Sequence, residues 1–143
     1  MKSIGPCEIE VPGEAHSLAL IRMVVTSLAE MAGMDENRIG EIELAVDEAC
    51  SNVVDHAYRG LSPHPNFNLS VYVEDNNFVI DVVDRGKAFN FNAHVLPKFP
   101  DHWDDGNVRG VGLFLIRKTV DEVSYEQLPD KRNRLRLVKH VRP

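Results

Sequence analysis

Glu43–Arg59 reads ELAVDEACSNVVDHAYR, and the fold turns on how this stretch is read. Ile39, Ile42, Val46, Ala49 and Val53 recur at three and four residues, which is the core-facing stripe of an amphipathic helix. Glu48, Asn52 and His56 fall at i, i+4 and i+8, so their side chains stack in one column. That column runs along a margin of the apolar stripe and not opposite it. A carboxylate and a carboxamide are thereby held at the edge of a core, where a ligand could be half buried. Such a placement suits metal and phosphate chemistry better than a solvated face does.

Working outward, Cys7–Val11 alternates as a short strand and ends at Pro12-Gly13. A first helix follows from about Glu14 to Met31, with Leu18, Ile21, Val25 and Leu28 buried and Gly33 as its C-terminal cap. Asp35 caps the helix that carries the column. Arg59–Pro65 is a loop by composition. Phe67–Glu74 and Phe78–Asp84 are strands joined at Asp75-Asn76-Asn77 by a hairpin turn. Gly110–Val120 makes a third helix, and Val123–Gln127 and Arg134–His140 close the chain as strands. Strands that follow one another directly predict a largely antiparallel sheet with the helices on one face. Between Phe89 and Arg109 there is no periodicity, and a structureless loop of this length in a small domain reads as a lid.

Composition bounds the function. A chain of 143 residues, 43% hydrophobic and 27% charged, fits one globular domain with a core of its own. It contains no apolar run of membrane-spanning length and opens with no hydrophobic leader. Cys7 and Cys50 are too few for a disulfide scaffold and read as reduced thiols of a cytoplasmic protein. A net charge of −6 argues against a nucleic-acid partner. Lys131–His140 is locally basic, and its alternation of Arg134 and Arg136 with Leu135 and Leu137 reads as a strand with one wet face, on a sheet edge. A docking surface for an acidic partner is the lesser reading. Asp101, His102, Asp104 and Asp105 match no common zinc or calcium spacing and read as a solvated loop.

Two further stretches stand downstream of the column. Asp84-Arg85-Gly86, with Phe89 close behind, ends a β-branched run. Arg109-Gly110-Val111-Gly112-Leu113 then opens a helix. With Glu48-Ala49, Asn52 and His56-Ala57-Tyr58 they resemble the three nucleotide boxes of the Bergerat-fold ATPases, the superfamily of DNA gyrase and the histidine kinases. The chain is most similar to the bacterial anti-sigma-factor serine kinases, and the likeness covers nearly its whole length. No Walker lysine motif is present, so P-loop chemistry is not the source of binding.

The resemblance implies an α+β fold, a two-layer sandwich with a mostly antiparallel mixed sheet and three helices on one face. It implies ATP and Mg²⁺, with the 89–109 segment closing over the nucleotide. Glu48 becomes the general base for a substrate serine, where alone it would read as a solvated glutamate. Asn52 becomes the Mg²⁺ ligand, a role that would explain a poor helix former inside a helix. Asp84 reads the adenine amine and Gly86 lets the base come close, although a tight turn would use both residues too. Gly110 and Gly112 offer backbone N–H groups to phosphate, or merely allow tight packing. Arg109 is a phosphate or partner contact. His56 is the weaker member of its column, and a structural role comes first for it. Ala88 stands where many of the superfamily carry a second glycine, a departure common among the serine kinases. The implied partners are an anti-anti-sigma-factor protein of the STAS type and a sigma factor, switched by phosphorylation, with a homodimer as the assembly. A catalytically silent ATP-binding module is the alternative.

Overall fold

The computed structural model describes residues 3–88 and 108–143. Their elements run β1 (Ile4–Val11), α1 (Ser17–Met31), α2 (Glu36–Asn52), β2 (Phe67–Glu74), β3 (Asn77–Asp84), α3 (Val108–Thr119), β4 (Glu122–Gln127) and β5 (Asn133–His140). The strands form one sheet in the order β1-β2-β3-β5-β4. Every neighbouring pair is antiparallel, so among the described residues the expected mixed component is absent. The physical reason is the return path: α3 and β4 bring the chain back so that β5 enters between β3 and β4, antiparallel to both.

Alternation along the strands decides which face is covered. Phe67, Leu69, Val71 and Val73 of β2 are buried, and so are Leu135 and Leu137 of β5. Their neighbours in sequence are half-buried or exposed. Ile21, Val25 and Ala29 of α1, Ile42, Val46 and Ala49 of α2, and Leu113 and Ile116 of α3 join them in one core. Three helices on one face of an antiparallel sheet make a two-layer α+β sandwich, the architecture expected from the sequence.

Local chemistry sets the element ends. The Asp35 carboxylate accepts the Arg38 backbone N–H at 2.8 Å and starts α2. Gly33 takes a left-handed φ of +88° just beyond α1, as a C-terminal cap requires. α1 begins at Ser17 and not near Glu14, because the preceding residues make a turn whose backbone bonds run from Ser17 N to Glu14 O and from Leu18 N to Ala15 O. β5 is not the expected edge strand: it lies between β3 and β4, and the edges are β1 and β4. Its arginines are paired, Arg136 with both Asp81 oxygens at 2.7 and 2.9 Å and Arg134 with Glu126. Lys139 is 5% exposed on the covered face, where its ammonium reaches Glu41 and the Thr119 carbonyl at the end of α3.

The regular α-helix of α2 stops at Asn52. Val53–Ala57 is a wider π-turn closed by Tyr58 N–H on the Val53 carbonyl at 2.9 Å. Tyr58 is fully buried edge-on to Phe67. Its hydroxyl donates to the Asn66 carbonyl at 3.0 Å and accepts the Arg85 N–H at 3.1 Å, tying the helix end to β2 and β3. Tyr58→Phe leaves both backbone groups without that partner, so urea unfolding should show a loss of about 1–3 kcal/mol.

Candidate functional site

Glu48 and Asn52 stand on the margin of α2 that faces α3. Glu48 is half-buried. Burial, with the neighbouring Asp47 charge as the lesser cause, lifts its carboxyl above the ordinary range. Asp47 is itself held by Arg22 at 2.5 Å. Asn52 is the last α-helical residue and opens the π-turn, so it is not mid-helix as expected. Its poor helix propensity falls where the regular helix ends.

α3 begins at Val108, two residues ahead of the expected start. Arg109 and Gly110 therefore lie in its first turn and Gly112 one turn further in. A Cβ on Gly112 would stand 2.9 Å from Glu48 Oε2 and 3.7 Å from both Asn52 side-chain polar atoms. Gly112 thus serves by its missing side chain, which opens a cradle beside the carboxylate and the carboxamide. Oxygen donors around such a cradle fit a magnesium-bound phosphate.

Next to it lies a pocket at the junction of α2, the π-turn, β3 and α3. Ala49, Asn52, Val53 and Ala57 line it from α2 and the π-turn, Val82 and Asp84 from β3, and Leu113, Tyr125 and Leu135 from the other elements. The lining is mostly apolar, with Asp84 and Asn52 as convergent polar groups. Asp84 is buried, and its Oδ1 accepts the Gly86 N–H at 2.8 Å and the Asn133 side-chain nitrogen at 3.0 Å.

Gly86 has a packing reason for its lack of a Cβ: an added one would stand 2.4 Å from the Ala57 carbonyl oxygen and 2.7 Å from the Tyr58 ring. His56 sits in the π-turn with Nδ1 3.5 Å from Arg59 Nη2 and is not among the pocket residues. Lys87 lines the pocket and Asn133 is fully buried against Asp84, and neither is among the residues expected from sequence. The signal for Asn133 is its parity, since it shares the inward row of β5 with Leu135 and Leu137. The lid expected over 89–109 lies, up to residue 107, outside the described residues, as do Asp101, His102, Asp104 and Asp105.

The profile of the histidine kinase-like ATPase domain matches residues 11–139. A serine-protein kinase RsbW of Staphylococcus epidermidis is 33% identical over 122 residues, which is 82% of this chain and 76% of the relative. Another serine-protein kinase RsbW, from Halalkalibacterium halodurans, is 32% identical over 124 residues, 84% of this chain and 75% of the relative. The chain belongs to the anti-sigma-factor serine-protein kinase family. A crystal structure of the RsbU and RsbW domains of a Mycobacterium tuberculosis protein shares the fold, with a TM-score of 0.67 at 18% identity. It matches 96% of this chain, which spans only 32% of that longer one. Membership in this family of ATPases makes the chain an ATP-using protein.

The two glycines separate packing from chemistry. Gly86→Ala drives a Cβ into backbone, so chemical unfolding should show a loss of about 3 kcal/mol. Gly112→Ala meets only the far end of the Glu48 side chain and gains helix propensity, so its stability should stay within about 1 kcal/mol of the parent.

Proposed function

We propose that this chain is an ATP-dependent protein serine kinase whose substrate is a STAS-type anti-anti-sigma-factor protein and whose second client is a sigma factor. The observation that carries the proposal is the convergence of Glu48, Asn52 and Gly112 beside a pocket that Asp84 lines. Family membership supports the kinase class, and the chemistry below is argued from the residues.

In this reading the adenine lies in the apolar pocket with its exocyclic amine donating to the Asp84 carboxylate. The phosphates extend toward the first turn of α3, where Gly110 presents its backbone and the helix dipole favours negative charge. Lys87, which lines the pocket, and Arg109, in the first turn of α3, would supply positive charge along that path. Asn52 would hold Mg²⁺, which when bound neutralises charge on the phosphate oxygens. Glu48 accepts the proton of the substrate serine hydroxyl as the serine oxygen bonds to the γ-phosphorus. The bond from that phosphorus to the bridging oxygen breaks, and ADP leaves with the electron pair. Phosphorylation of the serine then decides which partner is held, in a homodimer working in the cytoplasm. Among the described residues no helix is long and apolar enough to cross a membrane.

The pH dependence follows from the environment of Glu48. Only the ionised carboxylate accepts a proton, and burial raises its pKa. The transfer rate should therefore climb with pH through a point above the ordinary carboxylate range and level off once Glu48 is ionised. Glu48→Gln should retain ATP binding and lose about 10²–10⁴-fold in transfer. Transfer of labelled γ-phosphate to an anti-anti-sigma-factor protein, with acid-stable phosphoserine as product, is the measurement. Equal transfer by Glu48→Gln would remove the general base. A wild-type chain that binds ATP and transfers nothing would be the silent binding module instead.

A further inference from the structure

Asn133 is fully buried and stands opposite Asp84 in the β3–β5 ladder. Its amide nitrogen donates to Asp84 Oδ1 at 3.0 Å and to the Gly86 carbonyl at 3.0 Å. A carboxylate and a carbonyl only accept, so the amide cannot be turned over without pressing its oxygen against both. The orientation of Asn133 is thereby settled by its partners. Its oxygen, Oδ1, is buried and has no hydrogen-bond partner among the described residues.

A buried acceptor in that condition is costly, and a leucine would continue the inward row of β5 without it. The position gains something else from an amide. One side chain holds both the carboxylate that lines the pocket and the turn just after it, since Asn133 donates to Asp84 Oδ1, which also accepts the Gly86 N–H, and to the Gly86 carbonyl. A carboxylate held by two N–H donors keeps its rotamer.

We propose that Asn133 is a specificity-determining residue, which positions Asp84 so that the pocket takes a purine with an amino group at C6 and rejects one with an oxo group there. The inference rests on the ATP-binding reading above. An amine donates to the held carboxylate, whereas an oxo oxygen would face it lone pair to lone pair. Asn133 acts through Asp84 and is a positioning residue, not a catalytic one.

The test is calorimetric titration of the full chain with ATP and with inosine triphosphate, for wild type, Asn133→Ala and Asn133→Asp, with melting curves recorded beside them. Wild type should prefer ATP by about tenfold or more, because a site built around a hydrogen bond discriminates strongly against a partner that cannot make it. Asn133→Ala should lose most of that preference while remaining folded. In Asn133→Asp the introduced carboxyl should share a proton with Asp84 at acid pH and imitate the amide. As pH rises that proton leaves, the two carboxylates repel, and ATP affinity should fall where wild type shows no such fall. A purely structural role would lower the melting temperature and leave both the nucleotide ratio and the pH profile of the folded protein unchanged. A folded Asn133→Ala with the wild-type ratio, or a pH-independent Asn133→Asp, would overturn the inference. Should Asn133→Ala not fold, the pH profile of Asn133→Asp decides alone. Wild type that binds ATP with an unaltered ratio in the variants sinks this inference only; wild type that binds neither nucleotide sinks the ATP reading with it.

Discussion

The site depends on one shared helix. Ile42, Val46 and Ala49 of α2 are essentially excluded from solvent, and Glu48 and Asn52 project from the margin of the same turns. Burying an aliphatic side chain such as Ile42 is worth about 1.5–3 kcal/mol, so the backbone that carries the polar pair is held by core packing. A loop could not keep a carboxylate and a carboxamide beside the start of α3 with the same constancy. The same placement raises the Glu48 pKa, because a core margin is partly dry. Position and basicity thus have a common origin.

Polar groups on the covered face of the sheet do the remaining organisation. Lys139 joins Glu41 of α2 to the last carbonyl of α3, where a cation also suits the negative end of the helix dipole. That contact fixes the far end of α3, while Gly112 sets how near its other end comes to Glu48. Asn133, Asp84 and Gly86 form a second knot at the opposite end of β5. Each removes charge or hydrogen-bonding capacity from water and returns it as geometry, which is why these groups sit on an otherwise apolar surface.

The element order and the helical column were legible because they rest on periodicity, which a single chain displays directly. Gly33 and Asp35 were legible as caps for the same local reason. Sheet order was not, since nothing near Arg134 says that its strand is flanked on both sides; the basic alternation that suggested an edge is instead matched by Asp81 and Glu126. The π-turn after Asn52 escaped as well, because its cause is the tertiary tie of Tyr58 to Asn66 and Arg85. The packing reason for Gly86 was not legible either, because its nearest obstacle, the Ala57 carbonyl, belongs to a residue distant in sequence. Asn133 was hidden in a run of arginines and leucines, where composition overshadowed parity.

The central claim is that the α2 margin, the α3 glycines and the Asp84 pocket form a single Mg·ATP site. Calorimetric titration with ATP, with and without Mg²⁺, for wild type and Asn52→Ala tests it most directly. The account predicts binding strengthened by Mg²⁺ in wild type, and loss of that strengthening in a folded Asn52→Ala. Wild type that ignores ATP under both conditions, or Asn52→Ala that responds to Mg²⁺ as wild type does, would contradict it.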